Sequence, residues 1–219
     1  MAVSARYVQL KSRIEQLEVH LLPSIDPTGT YSEKDNDLVR GFCLLSHAEI
    51  EAYLEDITIE NVTRAYIKWD NNKTDISPII FHLAYSLRSE KKEPPYSMVV
   101  LSYLQLKKTI EKNHGIKEDN INNFFRPIGF QMDETLKTTL NEFGKARGEI
   151  AHTSFQTQQP LDPLTEKNSV GQIVLSLKVF DEELSTYEQY GTLPRTPIIT
   201  QWKKFTFRER LKILFTGKH

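Results

Sequence analysis

The chain has 219 residues, of which 39% are hydrophobic, so it can bury the core of one domain, or of one domain with an appendage. Its 28 Lys and Arg against 29 Asp and Glu give a formal net charge of −1. This balance excludes a global attraction to nucleic acid or membranes and leaves such binding to local patches. The single cysteine, Cys43, excludes an internal disulfide and a multi-cysteine metal site, and its apolar helical surroundings predict a buried, inert thiol.

Several classes of protein are disfavoured by missing patterns. No apolar run approaches the ~20 residues that a membrane span needs, and the charged first turns do not fit a signal peptide. We therefore expect a cytoplasmic protein without integral membrane association. Phosphate-binding glycine loops, metal-binding histidine pairs and serine-nucleophile elbows are missing too. We expect no metal and no cofactor, which leaves metal-free acid–base chemistry or binding without chemistry.

Helical spacing of apolar residues dominates the chain and the strand signal is weak, which predicts an all-α bundle of about five core helices. Residues 4–22 read as an amphipathic helix. A longer helix runs from about residue 35 to 57 and can continue, after a break, to residue 69. Glu51 lies at the edge of its apolar face, where a half-buried carboxylate needs a partner. Either an arginine from another helix pairs with Glu51, or its side chain reaches solvent.

Further helices are predicted over residues 78–89, 97–113, 134–152 and 167–190, with a short helical turn and a tight R-P-x-G loop at 120–130. Asp133 is the expected N-cap of the helix over 134–152. In the last helix we assign to the core Ile173, Leu175, Leu177, Val179, Phe180 and Leu184, and in the helix over 97–113 Met98, Leu101, Leu104 and Leu106.

Arg147 and His152 end the helix over 134–152, in the stretch F-G-K-A-R-G-E-I-A-H. A guanidinium holds a phosphate with two parallel donors and an imidazole exchanges a proton near neutral pH, so the pair suits phosphate chemistry. An arginine followed by a histidine with four to six residues between them occurs three times, as Arg13–His20, Arg40–His47 and Arg147–His152. We expect at least two of the three to be accidental. The alternative for Arg147 and His152 is a buried, hydrogen-bonded pair that locks the helix end.

The C-terminal tail, residues 191–219, is basic and aromatic. From residue 192 onward it holds seven Lys and Arg and one acidic residue. Basic residues between aromatics can contact RNA phosphates and stack on bases. The candidate contacts are Lys203, Lys204, Arg208 and Arg210. The same pattern fits a membrane-surface helix, a partner-docking helix or a packed terminal helix with a solvated basic face.

The stretch with Arg147 and His152 resembles the R-x(4–6)-H motif of the HEPN superfamily, and among its subgroups it is most similar to the RiboL-PSP-type HEPN domain. L-L-S-H-A-E-I-E-A-Y-L-E-D, residues 44–56, is similar to the leading helix of that subgroup. R-P-I-G-F, residues 126–130, and the leucine-rich helix after it are similar to its second block. The resemblance covers residues 35–190. We expect these to form the HEPN-like domain, between an N-terminal helix and linker (1–34) and the tail.

The resemblance implies a metal-independent endoribonuclease that acts as a symmetric homodimer with one composite site. His152 would act as general base or acid for attack of a ribose 2′-OH on the adjacent phosphate. Arg147 would hold that phosphate and stabilise the transition state. Glu51 is a candidate for orienting Arg147, and Lys145 is a candidate RNA contact. The implied partner is RNA, in a toxin–antitoxin or anti-phage context where an antitoxin or sensor protein restrains the activity.

Gly148 is a departure from many active members, which carry Asn, Asp or His directly after the arginine. A mid-helix glycine costs up to ~1 kcal/mol relative to alanine, and close approach of two helices in a dimer would favour it. The departure keeps a second hypothesis open: a non-catalytic HEPN-like module that binds RNA or a partner protein.

Overall fold

The computed structural model describes residues 3–72, 76–86, 95–152 and 160–190. These residues form helices and no strand, which confirms the predicted all-α fold. None of the described helices has the length and apolar character that crossing a membrane requires. The helices of this part of the chain are α1 (Ala5–Leu21), α2 (Glu33–Asn72), α3 (Pro78–Ser86), α4 (Pro95–Glu111), α5 (Glu118–Phe125), α6 (Glu134–His152) and α7 (Pro163–Tyr190), with a 3-10 turn (Arg126–Ile128) after α5.

Helix α2 is the central element of the bundle. Its 40 residues span ~60 Å, and it packs against each of the other six helices. The predicted break near residue 57 is wrong, because α2 is continuous. No glycine or proline lies between residues 42 and 72. The buried polar side chains of Thr58 and Asn61 donate to the carbonyls of Leu54 and Ile57, at 2.6 and 2.7 Å, so they are satisfied within the helix.

Helix α1 packs along α2 and α7 with its predicted apolar stripe inward. Its N-cap residue, Ser4, is tied to the buried Asp181 of α7. The backbone N–H and the hydroxyl of Ser4 each donate to a carboxylate oxygen of Asp181 at 2.6 Å, and the Tyr53 hydroxyl of α2 donates to it at 2.8 Å. Three helices therefore meet at one carboxylate. The domain boundary at residue 34 stays a prediction.

The limits of α6 and α7 follow from their capping residues. The backbone N–H of Leu136 donates to Asp133 Oδ1 at 3.0 Å, which confirms the predicted N-cap and the helix over 134–152. Helix α7 begins four residues earlier than predicted. The backbone N–H of Thr165 donates to Asp162 Oδ2 at 2.9 Å, and Pro163 occupies the first helical position, where its missing N–H leaves no bond unmade.

Part of the predicted core is wrong. Leu175 and Val179 of α7 are 59% and 57% exposed, and Leu101 and Leu104 of α4 are exposed as well. The buried residues of α7 follow the helical repeat, as Ile173, Leu177, Phe180 and Leu184. A residue two positions from a buried one lies about 200° around the helix, on the opposite side. These leucines and this valine were assigned to the core because they are apolar, but apolar character alone does not decide which side of a helix is buried.

The R-P-I-G-F segment joins α5 to α6 and fixes where α6 begins. Gly129 has φ +72°, and the His82 imidazole occupies the place of a side chain there, so only glycine fits. The Tyr187 hydroxyl donates to the Ile128 carbonyl at 2.9 Å. Phe130 packs edge-on against Phe180, which anchors the turn to α7.

Candidate functional site

Arg147 and His152 lie in the last two turns of α6. Arg147 is half-buried and His152 is exposed. Their separation places them ~140° apart around the helix and ~7.5 Å apart along it. Within the described residues no hydrogen bond joins the two side chains, and neither forms an ion pair. A buried, mutually hydrogen-bonded pair is therefore not what this helix end contains.

Phe143 sets the position of Arg147 against α2. The ring of Phe143, one turn before Arg147, is buried on the imidazole of His47, with 5.9 Å between ring centroids. The side chain of His47 is only 3% exposed, and its Nδ1 lies 3.6 Å from Glu51 Oε2, one turn further along α2. The charge of Arg147 acts on the pKa of both His47 and Glu51. The structure therefore brings Arg147 and Glu51 into one region, with His152 at the helix end beyond them.

The direct partner of Glu51 is an asparagine. The side-chain amide of Asn113 donates to Glu51 Oε1 at 3.2 Å, to Glu55 Oε1 at 2.7 Å and to the Gly115 carbonyl at 3.0 Å. Among the described residues, no ion pair within 4.0 Å links Glu51 to Arg147. Burial and the neighbouring Glu55 carboxylate raise the pKa of Glu51, and the charge of Arg147 partly offsets that rise.

His47 is a neutral side chain at the centre of this region. Burial lowers its pKa to about 4, and the positive charges of Arg147 and Lys117 contribute to the decrease. At neutral pH its imidazole therefore carries no charge. The neutral imidazole packs between α2 and α6 against Phe143, and it adds no positive charge to the site.

Lys117 is brought to the same region by the loop between α4 and α5. This loop lies against α6 at Gly144, where an added Cβ would be 3.1 Å from Lys117 Cγ and 3.6 Å from the Lys117 backbone nitrogen. The next residue, Glu118, donates its backbone N–H to Asn141 Oδ1 at 3.4 Å. Both contacts hold the start of α5 on α6, close to Arg147.

The other predicted RNA contacts fall in different places. Lys145 is exposed on α6, but it precedes Arg147 by two residues and so projects about 200° away from it. Lys203, Lys204, Arg208 and Arg210 lie outside the described residues. In the part of the chain that the structure describes, no group of three or more His, Cys, Asp and Glu side chains could hold a metal ion.

Sequence reasoning missed three residues of this region: His47, Asn113 and Lys117. His47 carried a usable signal, because it precedes Glu51 by four residues and therefore shares a helix face with it. It belongs to the Arg40–His47 pair, which was expected to be accidental. Asn113 and Lys117 carried no such signal, since their contacts cross between elements far apart in sequence.

Comparison with protein families gives one match: the family model described as RiboL-PSP-HEPN covers residues 8–185. This match confirms the resemblance drawn from residues 44–56, 126–130 and 147–152, and it also includes most of α1. Neither the curated proteins nor the solved structures contain a match.

Proposed function

Since the chain belongs to the RiboL-PSP-HEPN family, we propose that it is a metal-independent endoribonuclease with its site at the end of α6. A HEPN-type domain is a nuclease or an RNA-related module. The proposal of RNA cleavage rests on the accessibility of the two motif residues and on their missing partners in the described part of the chain. His152 is exposed and Arg147 is half-exposed, and within the described residues no ion pair or hydrogen bond holds either side chain. Both are therefore free to contact a substrate.

The proposed reaction needs a proton acceptor, a proton donor and a cation. His152 removes the proton of a ribose 2′-OH, and the oxygen attacks the adjacent phosphorus. The bond from phosphorus to the 5′ oxygen breaks, and an imidazolium returns a proton to that oxygen. The products are a 2′,3′-cyclic phosphate and a 5′-hydroxyl. Arg147 holds the phosphate through two donors and stabilises the charge that grows on its oxygens.

In this proposal the Glu51 carboxylate on α2 helps to position the Arg147 side chain. Asn113 holds one of its carboxylate oxygens, which fixes the negative charge on the α2 side of Arg147. The Glu51 carboxylate attracts the guanidinium of Arg147 without forming an ion pair with it, so the donors of Arg147 stay available for phosphate. Glu51 is accordingly a positioning residue that acts through Arg147.

A homodimer with a composite site is part of the proposal. Among the described residues, a Cβ added to Gly148 would meet nothing within 4 Å, so in this part of the chain the Gly148 side of α6 leaves room for a second copy. Two Arg–His helices facing each other would supply one imidazole as base and the other as acid. Equilibrium sedimentation tests this point, and a mass of one chain at the concentrations where RNA is cleaved would contradict it.

The decisive experiment compares wild type with Arg147→Ala and His152→Ala on total tRNA and a structured RNA, with EDTA present. We expect cleavage by wild type alone, with cyclic-phosphate ends on the products. The matched controls are Arg126→Ala and His20→Ala, which remove an exposed arginine and an exposed histidine elsewhere in the bundle. Cleavage that survives His152→Ala, or that disappears in the controls, would contradict the assignment.

Gly148 favours the second candidate function, a binding module without cleavage. Many active members carry a polar residue there, and this site has none. The position is open, so Gly148→Asn should fold, and we would expect it to gain cleavage if the missing polar group is the cause of inactivity. RNA binding without cleavage by either protein would favour the binding module. A role in toxin–antitoxin or anti-phage systems stays a prediction.

A further inference from the structure

Two cations lie near the junction of α2 and α6. Arg147 comes from α6 and Lys117 from the loop before α5. Within the described residues neither side chain forms an ion pair or a hydrogen bond. Both charges act on the pKa of the buried His47 imidazole, and the stem of Lys117 lies against α6 at Gly144, one turn before Arg147. Like charges held close together repel, and an anion placed between them would relieve that repulsion.

The nearby carboxylates do not fill this role. Glu51 and Glu55 both accept hydrogen bonds from the Asn113 amide, at 3.2 and 2.7 Å. These bonds hold the two carboxylates toward the loop between α4 and α5. The Glu51 side chain is also only 19% exposed. The two acids therefore anchor the loop that carries Lys117, and among the described residues neither acid forms an ion pair with Lys117 or Arg147.

The position of Lys117 is set by contacts on both sides of its loop. On one side, Asn113 ties the loop to α2. On the other, the stem of Lys117 lies close to α6 at Gly144, where an added Cβ would be 3.1 Å from Lys117 Cγ. The side chain of Lys117 is exposed beyond this anchored stem. A fixed backbone with an accessible ammonium group is the arrangement expected of a ligand contact.

We propose that Lys117 binds a backbone phosphate of RNA next to the phosphate that Arg147 holds and His152 acts on. The subsite rests on the proposed RNA function, and it names a substrate contact outside the Arg–His motif. A phosphate matches it because the Lys117 ammonium is a mobile point charge, while the planar pair of donors of Arg147 stays on the scissile phosphate. Each such contact releases counterions, so it should appear in the salt dependence of RNA affinity.

The test measures binding of a labelled single-stranded RNA with 2′-O-methyl groups throughout, which cannot be cleaved by 2′-OH attack. Fluorescence anisotropy gives Kd for the full chain from about 50 to about 200 mM salt. For Lys117→Gln we expect the slope of log affinity against log salt to be shallower by about 0.7, which corresponds to about fivefold weaker binding at ~0.1 M salt. Lys117→Arg should restore the slope, because it restores the charge.

The matched control is Lys178→Gln, which removes an exposed lysine of α7. It should leave both slope and affinity unchanged. An unchanged slope in Lys117→Gln, or an equal loss in Lys178→Gln, would overturn the subsite. So would a wild type that does not bind the RNA, or one whose Tm rises with inorganic phosphate while RNA has no effect, since either result would assign the cations to something other than RNA.

The nuclease proposal is tested separately by cleavage of unmodified RNA. Cleavage by wild type combined with an unchanged slope in Lys117→Gln would reject the subsite and keep the nuclease. A shallower slope without any cleavage would keep the subsite and reject the nuclease.

Discussion

Two polar clusters sit inside this bundle, and they differ in how completely their charges are satisfied. The Asp181 cluster consists of Asp181, Ser4 and Tyr53. The Glu51 cluster consists of Glu51, Glu55 and Asn113, with the two cations beside them. Asp181 is 1% exposed and receives three hydrogen bonds of 2.6 to 2.8 Å. Glu51 is partly exposed and receives its side-chain hydrogen bond at 3.2 Å, from an amide that it shares with Glu55.

This difference is the one expected between a structural cluster and a cluster at the proposed site. At Asp181 every hydrogen bond closes within the protein, and the burial raises the pKa of Tyr53, so that its hydroxyl stays a donor. Around Glu51, Asn113 holds the two acids, while Arg147 and Lys117 form no ion pair or hydrogen bond within the described residues. A closed network stabilises the fold, whereas an open one leaves charge for a ligand. The free energies of unfolding of three variants test this contrast.

The largest effect is expected at Asp181. Replacing Asp181 with alanine leaves the backbone N–H of Ser4, its hydroxyl and the Tyr53 hydroxyl without their acceptor. Because an unsatisfied buried donor costs about 1–3 kcal/mol, we expect the free energy of unfolding to fall by about 3 kcal/mol or more. Urea unfolding at neutral pH measures it. Tyr53→Phe removes one of the three bonds and should lose about a third as much, and equal losses would show that Asp181 is not the shared acceptor.

An intermediate effect is expected at His47, and it depends on pH. Burial lowers the folded-state pKa of His47 to about 4 from 6.5, so as pH falls the unfolded chain binds the proton first. Stability is therefore complete above pH 6.5 and is lost as pH falls toward 4. Between pH 7 and pH 5 we expect wild type to lose about 2 kcal/mol more than His47→Gln, which cannot take up that proton.

Urea unfolding of both proteins at the two pH values checks this prediction. Parallel losses in wild type and His47→Gln would mean that His47 is accessible to protons in the folded state. The conclusion that His47 is buried and uncharged between α2 and α6 would then be wrong.

The smallest effect is expected at Arg147. Its side chain is half-exposed and, within the described residues, forms no ion pair or hydrogen bond. Arg147→Ala should therefore change the free energy of unfolding by no more than about 0.5 kcal/mol, the usual range for surface substitutions. Thermal and urea unfolding measure it. A loss above about 1 kcal/mol would place Arg147 in the same class as Asp181, as a structural residue.

Local signals in the sequence were enough for much of this fold. The N-cap Asp133 and the repeat of Leu136, Leu140 and Phe143 predicted α6 with its observed limits. The stripe of α1 was predicted in the same way. These predictions succeed because caps and helical periodicity depend on neighbours within one or two turns. The exposed Leu175 and Val179 were not predicted, because exposure depends on which faces other helices cover. The continuity of α2 was not predicted either, although no glycine or proline lies between residues 42 and 72.

The family and the motif can be read from the amino-acid sequence, since both depend on residues close together along the chain. The sequence pattern placed Arg147 and His152 at a helix end and Glu51 at the edge of an apolar face. The neighbours of these residues follow from the packing of the helices. Asn113 reaches Glu51 across 62 positions of sequence, and a close approach at Gly144 brings in Lys117. Such contacts are set by the packing of α2, α6 and a loop together, and no local pattern encodes that geometry.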